Sequence, residues 1–334
     1  MSKRPKLSSN KVIDEMSIPP KPLNMLEKSL MEVDDRKYIF RLTFINGSIF
    51  NKFLLPIANA VHEMRFTISK TDDFMGLKLA AHDTYMTLAN KSRFECDVEI
   101  GDNVDEEMLE FSVSANQFMQ TLSCSSLKDT VLTISKYSAE DSKITFESLT
   151  NEKDVHAVYT CDILAESRLH QSNIEAMEFN FGFHINLCLK TIKELIGNAK
   201  RCGASHVYFE LFQANENGIE HSKLNIGFKG GQSTSGAHEF YTSSKKVEQG
   251  TMTAFQPIPI TDQVKKIKYT KKSFNEYDNN KLRLFLNHMD MEWIMLHLCN
   301  DNSNQPLVME CLIGGQNSKH LIIVAPKLSD SNDD

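Results

Sequence analysis

The sequence lacks the means for several common chemistries. Its seven cysteines, Cys96, Cys124, Cys161, Cys188, Cys202, Cys299 and Cys311, are odd in number and scattered, with no CxxC pair among them. No group of histidines has zinc-ligand spacing either, so the thiols read as reduced core residues, and neither a disulfide framework nor a structural metal is expected. No apolar run approaches the roughly 20 residues of a membrane helix. The opening MSKRPKLSSNK is basic and polar without the apolar centre of a secretory signal, so an intracellular protein is expected. G-x-S-x-G, phosphate-loop and H-E-x-x-H patterns are all missing, and Gly230-Gly231 leads into no helix. An enzyme drawing a nucleophile and a base from the cysteines and histidines is the remote alternative, and no cofactor is expected.

What is present suits two compact domains with tails. The chain has 334 residues, of which 41% are hydrophobic and 24% charged. A formal net charge of −7 argues weakly against a nucleic-acid partner. A ring escapes that argument by segregating charge, basic inside and acidic outside. Residues 1–37 hold Pro5, Pro19, Pro20 and Pro22 beside Lys3, Arg4 and Lys6, show no sustained periodicity, and read as a flexible tail. The Lys3-Arg4-Pro5-Lys6 cluster is either a nuclear-import signal or an ordinary basic tail. Residues 329–334 form an acidic end.

Between the tails, many short strands are interrupted by a few helices. Alternation predicts strands over 38–44, around Phe66 and Ile68, as a hairpin over 77–88, and over 94–100, 108–113, 131–135, 144–149 and 155–163. A helix is predicted over 48–64, where Phe50, Phe53, Leu54, Ile57, Val61 and Met64 share one face and Pro56 should kink it or delay its start. A short helix over 115–123 follows Ser114 as its cap. The second half repeats the order: a strand over 179–185, a helix over 186–201, strands over 207–212, 223–228 and 238–242, a helix over 280–289, and strands over 293–298, 307–313 and 320–325. The reading is a duplicated α+β unit, 38–163 and 179–328, joined by a connector over 164–178. The stretch 229–277, marked by Gly230, Gly231 and Gly236 and carrying Lys245, Lys246, Lys265, Lys266, Lys268, Lys271 and Lys272, reads as a basic, solvated insertion in the second unit.

The helix over 186–201 is the most informative element. Cys188, Ile192, Leu195, Ile196 and Ala199 cluster on one side, while Lys190, Lys193, Lys200 and Arg201 lie off it. Such a stripe is either a solvated face or a surface for phosphates that reads no sequence. Lys52, Lys128, Lys281 and Arg283 add thinner basic signals on or beside the other helices.

Two ends of the chain carry a family resemblance. Gly47-Ser48-Ile49-Phe50-Asn51-Lys52-Phe53-Leu54, then Phe66-Thr67-Ile68-Ser69 and Gly76-Leu77-Lys78-Leu79-Ala80-Ala81-His82-Asp83, resemble the opening of the proliferating cell nuclear antigen family of DNA sliding clamps. Pro306-Leu307-Val308-Met309-Glu310-Cys311 and Leu321-Ile322-Ile323-Val324-Ala325-Pro326-Lys327-Leu328, with an acidic tail, resemble its last strands, and the Ala-Pro-Lys followed by a hydrophobic residue is the most specific of these signals. The resemblance spans about 38–328 in element order. Pro56, the few lysines on the first two helices and the enlarged 229–277 segment depart from the family pattern, as in a divergent or viral member.

The resemblance implies an α+β DNA-clamp fold: two similar domains, each with helices packed on antiparallel sheets, assembling into a homotrimeric ring around double-stranded DNA. A subunit of a heterotrimeric checkpoint clamp and a monomeric or dimeric viral processivity factor are the alternatives. Lys52, Lys128, Lys190, Lys193, Lys200, Arg201, Lys281 and Arg283 would face DNA. DNA polymerase and other clamp-binding proteins would dock short peptides in a pocket of His82, Asp83, Met86, Leu169, Pro306, Ile323, Val324, Ala325, Pro326 and Leu328. A clamp loader is a further expected partner, and the nucleus or a cytoplasmic viral replication compartment the expected location.

Overall fold

The computed structural model describes residues 38–327 apart from 86, 103, 106–108, 126–129, 151–155, 166–180, 232–233, 244–245, 250–251, 290, 299–305 and 313–317. The tail over 1–37, the acidic end and most of the connector therefore lie outside the described residues. The first half runs β1 (Phe40–Phe44), α1 (Gly47–Ala58), β2 (Glu63–Lys70), β3 (Met75–His82), β4 (Leu88–Glu95), β5 (Asp97–Ile100), β6 (Glu110–Ser114), α2 (Ala115–Ser125), β7 (Thr130–Lys136), β8 (Lys143–Thr150) and β9 (His156–Asp162). The second half runs β10 (Phe183–Cys188), α3 (Leu189–Arg201), β11 (His206–Glu216), β12 (Ile219–Lys229), β13 (Ser235–Ser243), β14 (Lys246–Gln249), β15 (Met252–Phe255), α4 (Asp262–Lys266), β16 (Thr270–Asp278), α5 (Asn279–Leu286), β17 (Trp293–Leu298), β18 (Leu307–Leu312) and β19 (Lys319–Val324).

These strands make three largely antiparallel sheets. Five strands are ordered β5-β1-β7-β8-β9, ten are ordered β14-β15-β10-β17-β18-β19-β4-β3-β2-β6, and four are ordered β13-β12-β11-β16. The order β1-β7-β8-β9 recurs as β10-β17-β18-β19, and β4-β3-β2-β6 recurs as β13-β12-β11-β16. The ten-stranded sheet is thus two unlike sheets, one from each half, fused along β19 and β4 through pairs running from Lys319↔Arg93 to Val324↔Leu88. Local details repeat as well. The amide of Ala115, which opens α2, donates to the His62 carbonyl, and that of Asn279, which opens α5, donates to the Ser205 carbonyl.

Period-2 alternation decides which face is core. Met64, Phe66 and Ile68 of β2, Leu77 and Leu79 of β3, and Ile322 and Val324 of β19 are buried on one face. Arg65, Lys78, Lys91, Arg93 and Lys319 alternate onto the other. The helices cover the apolar face: α1 packs on α2, α3 on α5, and α1 also meets α5, giving the row α2-α1-α5-α3. Phe44 and Phe50 stack with centroids 4.1 Å apart, and Phe94 meets Phe53 edge-on at 4.9 Å, so α1 is held by rings as well as area.

Three expectations are corrected in detail. The first helix ends at Ala58, because Met64 belongs to the alternation of β2 and Pro56 already sits in the last turn. The third helix begins at Leu189, since Asn186, Leu187 and Cys188 continue β10. The stretch 229–277 is no mere solvated insertion: β13 and β16 are outer strands of the four-stranded sheet, and only β14, β15 and α4 lie outside the repeated order.

Candidate nucleic-acid and docking surfaces

Helix α3 buries Ile192, Leu195, Ile196 and Ala199, as its spacing predicts, together with Leu189 in place of the half-buried Cys188, and leaves Lys190, Lys200 and Arg201 exposed. Lys193 is half-buried and its ammonium donates to the Met289 carbonyl, while the Arg201 guanidinium donates to the Asn198 side chain. Lys200 and Arg201 also sit in the last turn, where positive charge complements the helix dipole. Lys52 is exposed on α1, and Arg283 is half-buried on α5. Lys128 lies outside the described residues.

Lys281 is a correction. Its ammonium lies 3.3 Å from the Asp83 carboxylate, which withdraws it from the exposed cations and joins α5 of the second half to the β3–β4 loop of the first. Burial works against the Asp83 charge, but bonds from the Thr87 hydroxyl and the Leu88 amide, with Lys281 beside them, outweigh it and hold the carboxyl below its ordinary pKa. A cation and a pocket residue assigned to separate sites are one contact.

The expected peptide pocket is brought together only in part. His82, Asp83, Ala325 and Pro326 are partly exposed near the same loop, where the Ala325 amide donates to the Thr87 carbonyl at 2.9 Å and the Lys327 amide to the Glu276 carbonyl at 2.7 Å. Pro306 is half-buried just before β18. Val324 is wholly buried in the main core, and Ile323 is 5% exposed in a small cluster with Ala89 and Val308, against which Phe181 and Leu321 pack. Neither lines an open pocket, because the main core covers Val324 and the Phe181 and Leu321 side chains pack over the cluster that holds Ile323. Met86, Leu169 and Leu328 lie outside the described residues.

Two features were not anticipated. On the core face of the β19–β4 joint, the Ser92 hydroxyl donates to Asn90 Oδ1 at 2.7 Å and stands 2.8 Å from His320 Nδ1, with the Phe53 ring stacked on the imidazole at 3.9 Å. Burial pushes the His320 pKa down to about 3, against a backbone hydrogen bond with Phe53 that favours the proton. The alternating pattern around these residues hides them, since a histidine, a serine and an asparagine at inward positions look like a break in a strand. On the opposite face, His184 and His297 share a 2.9 Å contact, and the buried Glu310 lies 3.6 Å from His297 and 3.7 Å from Lys319.

One terminal strand in each half has an open edge among the described residues. β9 and β13 are terminal strands of their sheets. Val158 and Tyr159 on β9 are 52% and 38% exposed, high values for apolar strand residues. On β13, the Ile258 amide bonds to the Tyr241 carbonyl at 2.7 Å, and residues 235–239 have no strand on that side among the described residues.

Burial raises the pKa of the Cys96, Cys161 and Cys311 thiols, in the last case fully, which leaves them inert. Among the described residues no cluster of histidine, cysteine and carboxylate could hold a metal ion. No protein-family model matches the chain, and no curated protein matches it.

Proposed function

We propose that the chain is a DNA sliding clamp, a processivity factor whose copies close into a ring around duplex DNA and tether polymerases and other enzymes to it. The observation that carries this reading is the pair of open edges. By the repeated strand order, β9 is the counterpart of β19 and β13 the counterpart of β4, and β19 and β4 form the joint inside the chain. The same joint made between copies, β9 of one on β13 of the next, is head-to-tail, and such contacts make rings when the rotation closes. Each half then becomes one segment of a quasi-regular ring, and the resemblance implies six segments, hence three copies. Closure also removes two edge strands from solvent, where they invite aggregation.

In that ring the row α2-α1-α5-α3 lines the hole. Lys52, Lys190, Lys200 and Arg201, with Lys193, Arg283 and Lys128, meet phosphates without reading bases, which lets the ring slide. The net charge of −7 is compatible with this when negative charge is kept on the outside. Partner peptides dock beside His82, Ala325 and Pro326, next to the Asp83–Lys281 contact. Such a protein works where DNA is copied, in the nucleus or in a cytoplasmic viral replication compartment.

Light scattering at micromolar concentration should return three chain masses, and the protein should stay on nicked circular DNA and run off when the circle is cut. A monomer at every concentration, released equally from circles and linear DNA, would sink the reading.

A further inference from the structure

A ring with two chemically similar joints needs a way to keep them apart. β19 must pair with β4 of its own chain and β9 with β13 of the next, while the wrong pairings, β19 on β13 and β9 on β4, would give swapped or open-ended assemblies. Resting on the clamp reading above, we propose that a histidine set against a small residue, in opposite senses on the two joints, encodes this choice.

The equivalence follows from register. The matching amide bonds to His62 and Ser205 align Glu63 with His206, and therefore Phe66 with Phe209. Across the sheet, Phe66 faces Leu79, which faces Ser92; Phe209 faces Ile226, which faces His238. Ser92 of β4 thus corresponds to His238 of β13, and Asn90 to Gly236. On the other side, Ile144 and Leu307 are the first buried residues of β8 and β18. They face Cys161 and Val324, so Tyr159 of β9 corresponds to Ile322 of β19 and Ala157 to His320.

Inside the chain the facing pairs are His320 with Ser92 and Ile322 with Asn90. The equivalent joint between copies sets Ala157 against His238 and Tyr159 against Gly236. In both, an imidazole has a small residue opposite, but the histidine sits on β19 in one joint and on β13 in the other. Tyr159 likewise has a glycine to cover, and a Cβ at Gly236 would stand 2.9 Å from the Phe228 ring, so that position stays small.

The wrong pairings fail on both strands. β19 on β13 sets His320 against His238 and leaves Ile322 over the gap at Gly236. β9 on β4 sets Ala157 against Ser92, so the Ser92 hydroxyl keeps Asn90 but loses the imidazole, and Tyr159 meets Asn90 in place of a glycine. Loss of one buried hydrogen bond disfavours the wrong joint roughly three- to tenfold. Tyr241, bonded to Ile258, lies beyond 239 and so outside the stretch that the joint uses.

The test exchanges the codes. Ser92→His with His320→Ala gives the internal joint the sense of the outer one, and mass photometry should then show the single assembly replaced by a ladder of masses at unchanged circular dichroism. Ala157→His with His238→Ser, on the open edges, should scatter the assembly in the same way and covers the case in which the first variant does not fold. Combining all four substitutions makes the joints distinct again and should restore one mass. A parental trimer whose exchanged variants remain single trimers overturns the code and leaves the ring standing. A parental chain that is monomeric throughout overturns the ring itself, and the code with it.

Discussion

Acidification should weaken this protein through His320 in particular. The imidazole is 1% exposed, stacked on Phe53 and bonded to Ser92, and burial lowers its pKa from the ordinary 6.5 to about 3. A neutral group in the folded chain that takes a proton in the unfolded one costs stability as pH falls. The contribution is fully present above the unfolded pKa of 6.5 and is lost progressively as pH falls to the folded value near 3. At pH 5 the unfolded imidazole is about thirtyfold more protonated than not, which amounts to a loss of about 2 kcal/mol, and near pH 3 the loss approaches about 5 kcal/mol.

Urea unfolding at pH 7.5 and pH 5, at one fixed protein concentration, measures this loss in the parent and in His320→Phe. Phenylalanine keeps a ring against Phe53 and removes the titrating group. The variant starts lower because Ser92 loses one of its two hydrogen bonds, yet it should lose about 2 kcal/mol less than the parent between the two pH values. Groups elsewhere are common to both proteins and cancel in the comparison. Equal losses would refute the reasoning and mean that His320 is hydrated or already protonated.

Two further outcomes are expected. Reversing the charge of Lys190, Lys200 and Arg201 together should shorten retention on circular DNA and lower the salt dependence of binding by roughly one slope unit for each phosphate that is no longer neutralised. All three are exposed, so the chain should stay folded with only the roughly 1 kcal/mol loss that reversed charge in the last turn of α3 costs, and unchanged retention would make the stripe a solvated face. Among the described thiols, Cys124 is exposed and should react first with a soluble disulfide reagent, whereas Cys96 and Cys311, buried and raised in pKa, should react only on unfolding.

The parts of the fold carried by periodicity were legible. Phe50, Phe53, Leu54 and Ile57 of α1 and Ile192, Leu195, Ile196 and Ala199 of α3 are buried on the faces that their spacing predicts. Boundaries were less so, because Met64 satisfies both the helical spacing from Val61 and the alternation of β2. β16 was hidden for a different reason: its inward positions include Ser273 and Asn275, so polar residues occupy the buried phase and the lysines at its start suggest a loop. Lys281 could not be assigned from helix geometry alone, since its partner Asp83 is almost two hundred residues away in sequence.

The features that bear most on function belong to strand order, which no local pattern contains. Tyr159 is an ordinary strand tyrosine until β9 is seen to end a sheet, and Gly236 an ordinary loop glycine until β13 ends another. The likeness of the halves is equally invisible residue by residue: Ser92 corresponds to His238 and Ala157 to His320, substitutions that would count against a repeat in any comparison by identity. It emerges from which backbone groups pair, as in the amides of Ala115 and Asn279 reaching back to His62 and Ser205. Backbone pairing tolerates any side chain that fits, so divergence accumulates in the joints wherever volume and hydrogen bonding stay complementary. That is why, in the proposed ring, the joint between copies can differ in kind from the β19–β4 joint and still make the same connection.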